Sequence, residues 1–166
     1  MRAPVTPVAL SLCVALPSLA AGAEVAQGVT GRARRPHALY VELMGKGGLY
    51  SVGYDYALLP WLAAGSSLSY LQIDGQHIVT LSPYVNLYPV GGAVDALLLQ
   101  LGPQLVHLSL ESEVEGWAGA KATGLGGQVS LGYEYRRRFL LRAVATLTFG
   151  QHGVAPWVGV SLGWSL

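Results

Sequence analysis

Beyond Pro36 the apolar residues of this chain recur at every second position, which is the period of a half-buried strand and not of a helix. Eight such segments are set apart by Gly, Pro, Asp and charged clusters. The first covers residues 38–46, with Leu39, Val41 and Leu43 on one face and Tyr40, Glu42, Met44 and Lys46 on the other. A glycine-rich reversal at 45–48 leads into the second, 48–58, where Tyr50, Val52, Tyr54 and Tyr56 oppose Ser51, Gly53, Asp55 and Ala57. The third, 61–73, alternates least well, and Asp74-Gly75 is a hairpin signal that turns it into the fourth, 77–88. There Val79, Leu81, Val85 and Leu87 oppose Thr80, Ser82, Tyr84, Asn86 and Tyr88. The fifth segment, 94–108, is followed by the longest irregular stretch, 109–122, which is acidic. The sixth, 123–135, alternates most cleanly: Leu125, Val129, Leu131, Tyr133 and Tyr135 lie against Gly124, Gly126, Gln128, Ser130, Gly132 and Glu134. Arg136-Arg137-Arg138 forms the turn to the seventh, 138–149, and after a loop at 151–154 the eighth, 158–166, closes the chain. Pro83 and Pro103 fall inside strands, where each removes a ladder donor, so β-bulges are expected at both.

Two-faced strands suit either a soluble barrel with its apolar face inward or a membrane barrel with that face outward. The polar face separates the two. It holds Gly, Ser, Gln, Asn, Thr and Tyr with scattered charges, residues that fit a crowded hydrogen-bonded interior better than a water-exposed surface rich in Lys and Glu. Tyr54, Tyr56 and Trp61 near one turn and Tyr133, Tyr135 and Phe139 near another resemble an interfacial aromatic girdle. The expected fold is therefore all-β: an eight-stranded antiparallel up-and-down transmembrane barrel over residues 37–166. It must close, because an open strand edge in hydrocarbon leaves unpaired backbone groups that cost several kcal/mol each.

Composition agrees with this. Charged residues make up 11% of the 166, against roughly 25% in an ordinary soluble domain. The 22 glycines exclude a long helical bundle. Met1-Arg2, an apolar run from Val5 to Leu19 and the small residues Ala21-Gly22-Ala23 read as a cleavable signal peptide, 1–23, with cleavage after Ala23. Cys13, the sole cysteine, leaves with it, so neither disulfides nor thiol chemistry are available to the mature chain. Loss of Arg2 leaves nine basic against nine acidic side chains, and this neutrality removes the electrostatic case for a nucleic-acid partner. Residues 24–36, basic at Arg32, Arg34 and Arg35 and without periodicity, are expected to form a flexible periplasmic leader.

The signal peptide, the eight alternating segments and the last strand, Val158 to Leu166, together resemble the small outer-membrane barrels of the OmpA and OmpX type. The resemblance covers residues 38–166 and is one of architecture. It implies an outer-membrane location, contact with outer-membrane lipid, and recognition of the C-terminal strand by the barrel assembly machinery. The family's terminal aromatic is replaced by Leu166, with Trp164 two positions before it. Both chain ends would lie in the periplasm and the turns at 45–48, 74–76, 109–122 and 151–154 outside the cell.

An eight-stranded lumen is just wide enough to be filled by side chains, so a structural or surface-interaction role without catalysis or cofactor is expected. The candidate lumen network is Glu42, Asp55, Glu134 and Arg142, joined near the periplasmic end by Arg136 and Arg138. With a hairpin centred on Arg136 and Arg137, Glu134 would stand opposite Leu140 and one diagonal step from Arg142. In the acidic loop, Trp117 is a candidate contact for an extracellular partner or for lipid head groups. The alternative is an enzyme. His107 and Ser109, two apart on one strand face with Glu111 beyond, are similar to the His-x-Ser site of outer-membrane lipid A deacylases. No metal site is expected, because His37, His77, His107 and His152 fall in separate segments.

Overall fold

A computed structural model describes residues 31–46, 48–73, 75–110, 120–150 and 153–166. The signal peptide, Glu111 and Trp117 lie outside the described residues. A one-turn helix, α1 (Gly31–Arg34), precedes eight strands: β1 (His37–Gly45), β2 (Gly48–Leu59), β3 (Leu62–Ile73), β4 (Gln76–Leu87), β5 (Asp95–Leu110), β6 (Lys121–Arg136), β7 (Phe139–Gly150) and β8 (Gly153–Ser165). Each strand pairs antiparallel with the next, and β8 returns to β1, so the barrel is closed.

Alternation along each strand sorts its residues to the two sides of this wall. In β4, Thr80, Ser82, Tyr84 and Asn86 are buried in the lumen while Leu81 and Val85 face out. The outer surface is apolar around the whole wall, with Leu39 54%, Leu125 67% and Leu162 60% exposed. Such a surface would aggregate in water and is matched by hydrocarbon, so the strands are transmembrane strands of the outer-membrane kind. Up-and-down winding brings the two aromatic groups seen in the sequence to one end of the barrel: Tyr54, Tyr56, Trp61, Tyr133 and Phe139 all face out near the chain termini, with Trp164 among them. Phe139 packs edge-on against Trp164, ring centroids 4.5 Å apart.

Four expectations are corrected. Pro83 and Pro103 do not mark bulges. The pairs Leu81↔Leu105 and Val85↔Leu101 flank them in unchanged register, so the two prolines occupy facing positions and their missing donors fall in a single gap of the β4–β5 ladder. The one register shift in the β2–β3 pair falls between Ala57 and Leu59. Strand β8 begins at Gly153, five residues earlier than expected, and includes Pro156. There β8 has β7 as its partner on one side only, since pairing with β1 stops at Leu43↔Val160, and a strand edge tolerates proline. The β6–β7 ladder ends at Arg136↔Leu140, with Arg137, Arg138 and Phe139 between them, so Glu134 stands directly opposite Arg142. Finally, Met44 does not continue the inward face of β1. Its φ of 53° resets the alternation and turns its side chain out, while Lys46 folds back into the lumen.

The rim at the end away from the termini is uneven. β1 has 9 residues, whereas β5 and β6 have 16 each and pair as far as Ser109↔Lys121. β6 also outruns its other neighbour, because its pairing with β7 ends at Gly127↔Phe149.

Candidate functional site: the lumen charge network

Inward positions at the terminal end of the barrel bring charged side chains from non-adjacent strands across the lumen. Arg142 on β7 donates from Nη2 to Asp55 Oδ2 on β2 at 2.6 Å and to Glu134 Oε2 on β6 at 2.6 Å; its Nε reaches the same Glu134 oxygen at 3.1 Å. Arg136 Nη1 donates to the other Asp55 oxygen at 2.9 Å. All four side chains are fully buried. Neutral groups add to the shell: Tyr88 donates to Glu134 Oε2 at 2.9 Å, Asn86 to Asp55 Oδ2 at 3.5 Å, and Gln100 to Asn86 Oδ1 at 2.8 Å. Burying one of these charges alone would cost several kcal/mol, so the ions are held by reciprocal pairing with hydrogen bonds on the remaining lone pairs.

A second pair sits further along the lumen. The Lys46 ammonium is paired with Glu42, whose Oε1 also accepts the Lys46 backbone N–H at 2.8 Å and whose Oε2 accepts the Ser161 hydroxyl at 3.2 Å. Between the two clusters, Tyr40 on β1 and Tyr84 on β4 share a hydrogen bond of 2.6 Å across the barrel. The Lys46 nitrogen lies 5.3 Å and 5.0 Å from their ring centres, and the Arg142 guanidinium lies 5.1 Å from that of Tyr40. The Tyr40 ring needs Gly53 beside it: a Cβ there would stand 2.2 Å from the ring.

The structure thus brings Glu42, Asp55, Glu134, Arg136 and Arg142 into the lumen, Glu42 in a cluster separate from the other four. Arg138 is a correction. It is exposed at the β6–β7 turn, its guanidinium 4.9 Å from the Trp164 ring on the outside, because it lies in the turn between the last inward positions, Arg136 and Leu140. The leader is corrected too, in its last six residues. Arg32 is only 3% exposed, lies 4.2 Å over the Tyr88 ring, and reaches Glu134 Oε1 at 3.4 Å. Arg136 in turn donates to the backbone oxygens of Arg35 at 3.0 Å and Pro36 at 2.8 Å, so this segment is fixed in the barrel mouth. Sequence reasoning missed Arg32 and Lys46. Alternation had already put Lys46 on the face of Glu42, and Arg32 lies in a basic cluster that precedes β1 at the Glu134 end of the barrel.

On the outer surface, His107 Nδ1 lies 2.8 Å from Thr123 Oγ1 on β6, so its near contact is the threonine hydroxyl and not Ser109. Across the β4–β5 ladder Ser109 stands opposite His77. Among the described residues no three His, Cys, Asp or Glu side chains converge on a metal-holding position.

In sequence, no protein-family model and no curated protein matches the chain. In structure it is similar to the N-terminal β-barrel domain of OprF from Pseudomonas aeruginosa, with a TM-score of 0.57 and 14% identity over 78% of this chain and 95% of that one. It is also similar to Ail, the attachment invasion locus protein of Yersinia pestis, with a TM-score of 0.52 and 10% identity over 78% of this chain and 93% of that one. The complex of Ail with the heparin analogue sucrose octasulfate gives a TM-score of 0.54 and 9% identity over 78% and 96%. The chain therefore has the fold of the small eight-stranded outer-membrane barrels.

Proposed function

We propose that this chain is a non-enzymatic barrel of a Gram-negative-type outer membrane, with a structural or surface-interaction role and a lumen sealed by its own side chains. The observation that carries the reading is the Asp55–Arg142–Glu134 bridge, which spans the lumen between β2, β7 and β6 with no exposed atom to spare. A solute crossing here would have to separate ions held in a low-dielectric interior, at a cost of several kcal/mol. The apolar outer wall and its aromatic collar support an outer-membrane location, with the termini in the periplasm, the signal peptide removed, and β8 presented to the assembly machinery. The reading assigns no hydrolysis to His107 and Ser109, since the imidazole is engaged by Thr123.

The test has two arms. The folded protein should fractionate with the outer membrane and migrate differently on gels before and after boiling, as closed barrels do. In planar bilayers it should give no large, stable conductance. A broad ohmic channel would refute the sealed lumen, and fractionation with soluble periplasmic protein would refute the location.

A further inference from the structure

Surface charge at the end of the barrel that carries the β6–β7 turn is almost of one sign. Arg34, Arg137 and Arg138 are exposed there and Arg35 is half-buried. Among the described residues the one carboxylate that is not fully buried is Asp95, which accepts the Tyr133 hydroxyl at 3.3 Å. The lumen supplies no counter-charge, because its three arginines at this end, Arg32, Arg136 and Arg142, already outnumber Asp55 and Glu134. Arg138 is held in place on the outside. Its backbone oxygen accepts the Ser165 N–H at 2.9 Å, and its guanidinium lies 4.9 Å from the centre of the outward Trp164 ring, itself packed against Phe139. A ring occupies only the face of a guanidinium and leaves the in-plane N–H donors free. Among the described residues no carboxylate or carbonyl accepts from those donors. Deeper along the same outer wall come Leu141 and Leu162, and then the small side chains Ala143 and Ala145. With Leu43, Met44, Val158 and Val160 these two alanines line a shallow apolar groove of about 540 Å³.

We infer that the outer wall of β7 and β8 binds one anionic phospholipid of the leaflet on this side, with its phosphate on the Arg138 guanidinium beside Trp164 and an acyl chain in the groove over Ala143 and Ala145. Interfacial aromatic rings settle at head-group level, so Trp164 and Phe139 hold Arg138 where a lipid phosphate lies. The free planar edge of a guanidinium matches two phosphate oxygens. The depth of the groove agrees. Ala143 and Ala145 stand four and six residues along β7 from Phe139, about 14–20 Å of strand, which at an inclination of ~40° is ~10–15 Å of depth. One leaflet contributes about half of the ~30 Å hydrocarbon thickness, so an acyl chain reaches that far. The surplus of arginines selects a lipid of net negative charge over a zwitterionic one, whose ammonium they repel. A free phosphate shares the head-group chemistry and has no use for the groove. The inference rests on the bilayer-spanning barrel of the proposed function and adds a lipid partner to it.

The test refolds the chain into vesicles of equal parts phosphatidylglycerol and phosphatidylethanolamine, recovers it by flotation, extracts it in mild detergent and counts the retained lipids by native mass spectrometry. Phosphatidylglycerol should be retained about tenfold over phosphatidylethanolamine. Arg138→Gln should bring that ratio close to one. Lys121→Gln, which removes the same charge from the opposite end of the barrel, should leave it unchanged. Ala143→Leu combined with Ala145→Leu fills the groove with side chains that suit lipid, and should lower phosphatidylglycerol retention about fivefold with every charge intact. Heat-modifiable mobility like that of the wild type shows that each variant has folded. Equal retention of the two lipids by the wild-type chain, or a ratio that survives Arg138→Gln, would overturn the site. A ratio that falls equally with Lys121→Gln would reduce it to net charge, and displacement of the lipid by millimolar inorganic phosphate would reduce it to a phosphate site; either result overturns the lipid assignment. Failure to float with the vesicles would refute the membrane barrel itself and the site with it, whereas loss of the lipid preference alone leaves flotation unchanged.

Discussion

Replacing Arg142 by alanine removes the one side chain that touches both carboxylates of the inner cluster. Three hydrogen bonds go, two to Glu134 and one to Asp55, all within a site of zero exposure. Removing one partner of a buried ion pair usually costs ~3–5 kcal/mol. Here each carboxylate keeps a second cation, Asp55 through Arg136 at 2.9 Å and Glu134 through Arg32 at 3.4 Å, which argues for the lower end, ~3 kcal/mol. Arg137 is the control. It stands exposed at the β6–β7 turn, and its loss should stay within ~0.5 kcal/mol. The measurement is urea-induced unfolding in lipid vesicles, followed by gel mobility and tryptophan emission. The cause can be isolated with a double-mutant cycle of Arg142→Met and Glu134→Gln, whose coupling should be at least ~1 kcal/mol. Equal unfolding midpoints for Arg142→Ala and Arg137→Ala, or a coupling near zero, would show that the bridge is not what holds this end of the barrel together.

Arg32→Ala should destabilise less than Arg142→Ala, by ~1–2 kcal/mol, because it loses one long ion pair and a cation–π contact; protease protection of residues 31–36 should fall at the same time. Val129→Arg, which turns a charge toward lipid, should cost ~2–4 kcal/mol near the midplane. Ser130→Cys, on the opposite face and beside Thr146, should react poorly with water-soluble thiol reagents, and a reactive cysteine there would invert the assignment of faces. The mass of the membrane-purified protein should correspond to a chain beginning at Glu24. Lipid A from cells carrying Ser109→Ala should be indistinguishable from that of the wild type; a shift in its acylation would reinstate the hydrolase.

The strands were legible because a two-residue period is a local property of the chain, and a closed wall keeps it through most of every strand, with the exception at Met44. What depends on how strands meet was not. Glu134 could be placed on the lumen side from alternation alone, yet its true partner across the ladder depended on whether the turn began at Arg136 or Arg137, a difference of one residue that moves the pairing by two. The facing arrangement of Pro83 and Pro103 is likewise a property of register: each proline read singly suggests a local distortion, and only the pair shows how one gap serves both. Arg138 and Arg32 exchanged roles for a simple reason. A charge next to a strand in sequence need not point into the lumen, while one in a segment without periodicity can, if the mouth of the barrel offers it a carboxylate and an aromatic face.

The uneven strand lengths bear on how the protein sits in its bilayer. Nine residues of β1, at ~3.4 Å each and inclined by ~40°, rise only ~23 Å, close to the height of the apolar band of such barrels. The 16 residues of β5 rise ~40 Å on the same basis. One side of the cylinder therefore only just crosses the hydrocarbon while the other stands well clear of it. A flat membrane of uniform thickness cannot match both sides, and the mismatch is relieved by leaning the cylinder toward its short side or by thinning the leaflet there. Lipids beside the β1–β2 hairpin would then be compressed relative to those beside β5 and β6, so the protein imposes a direction on the membrane around it.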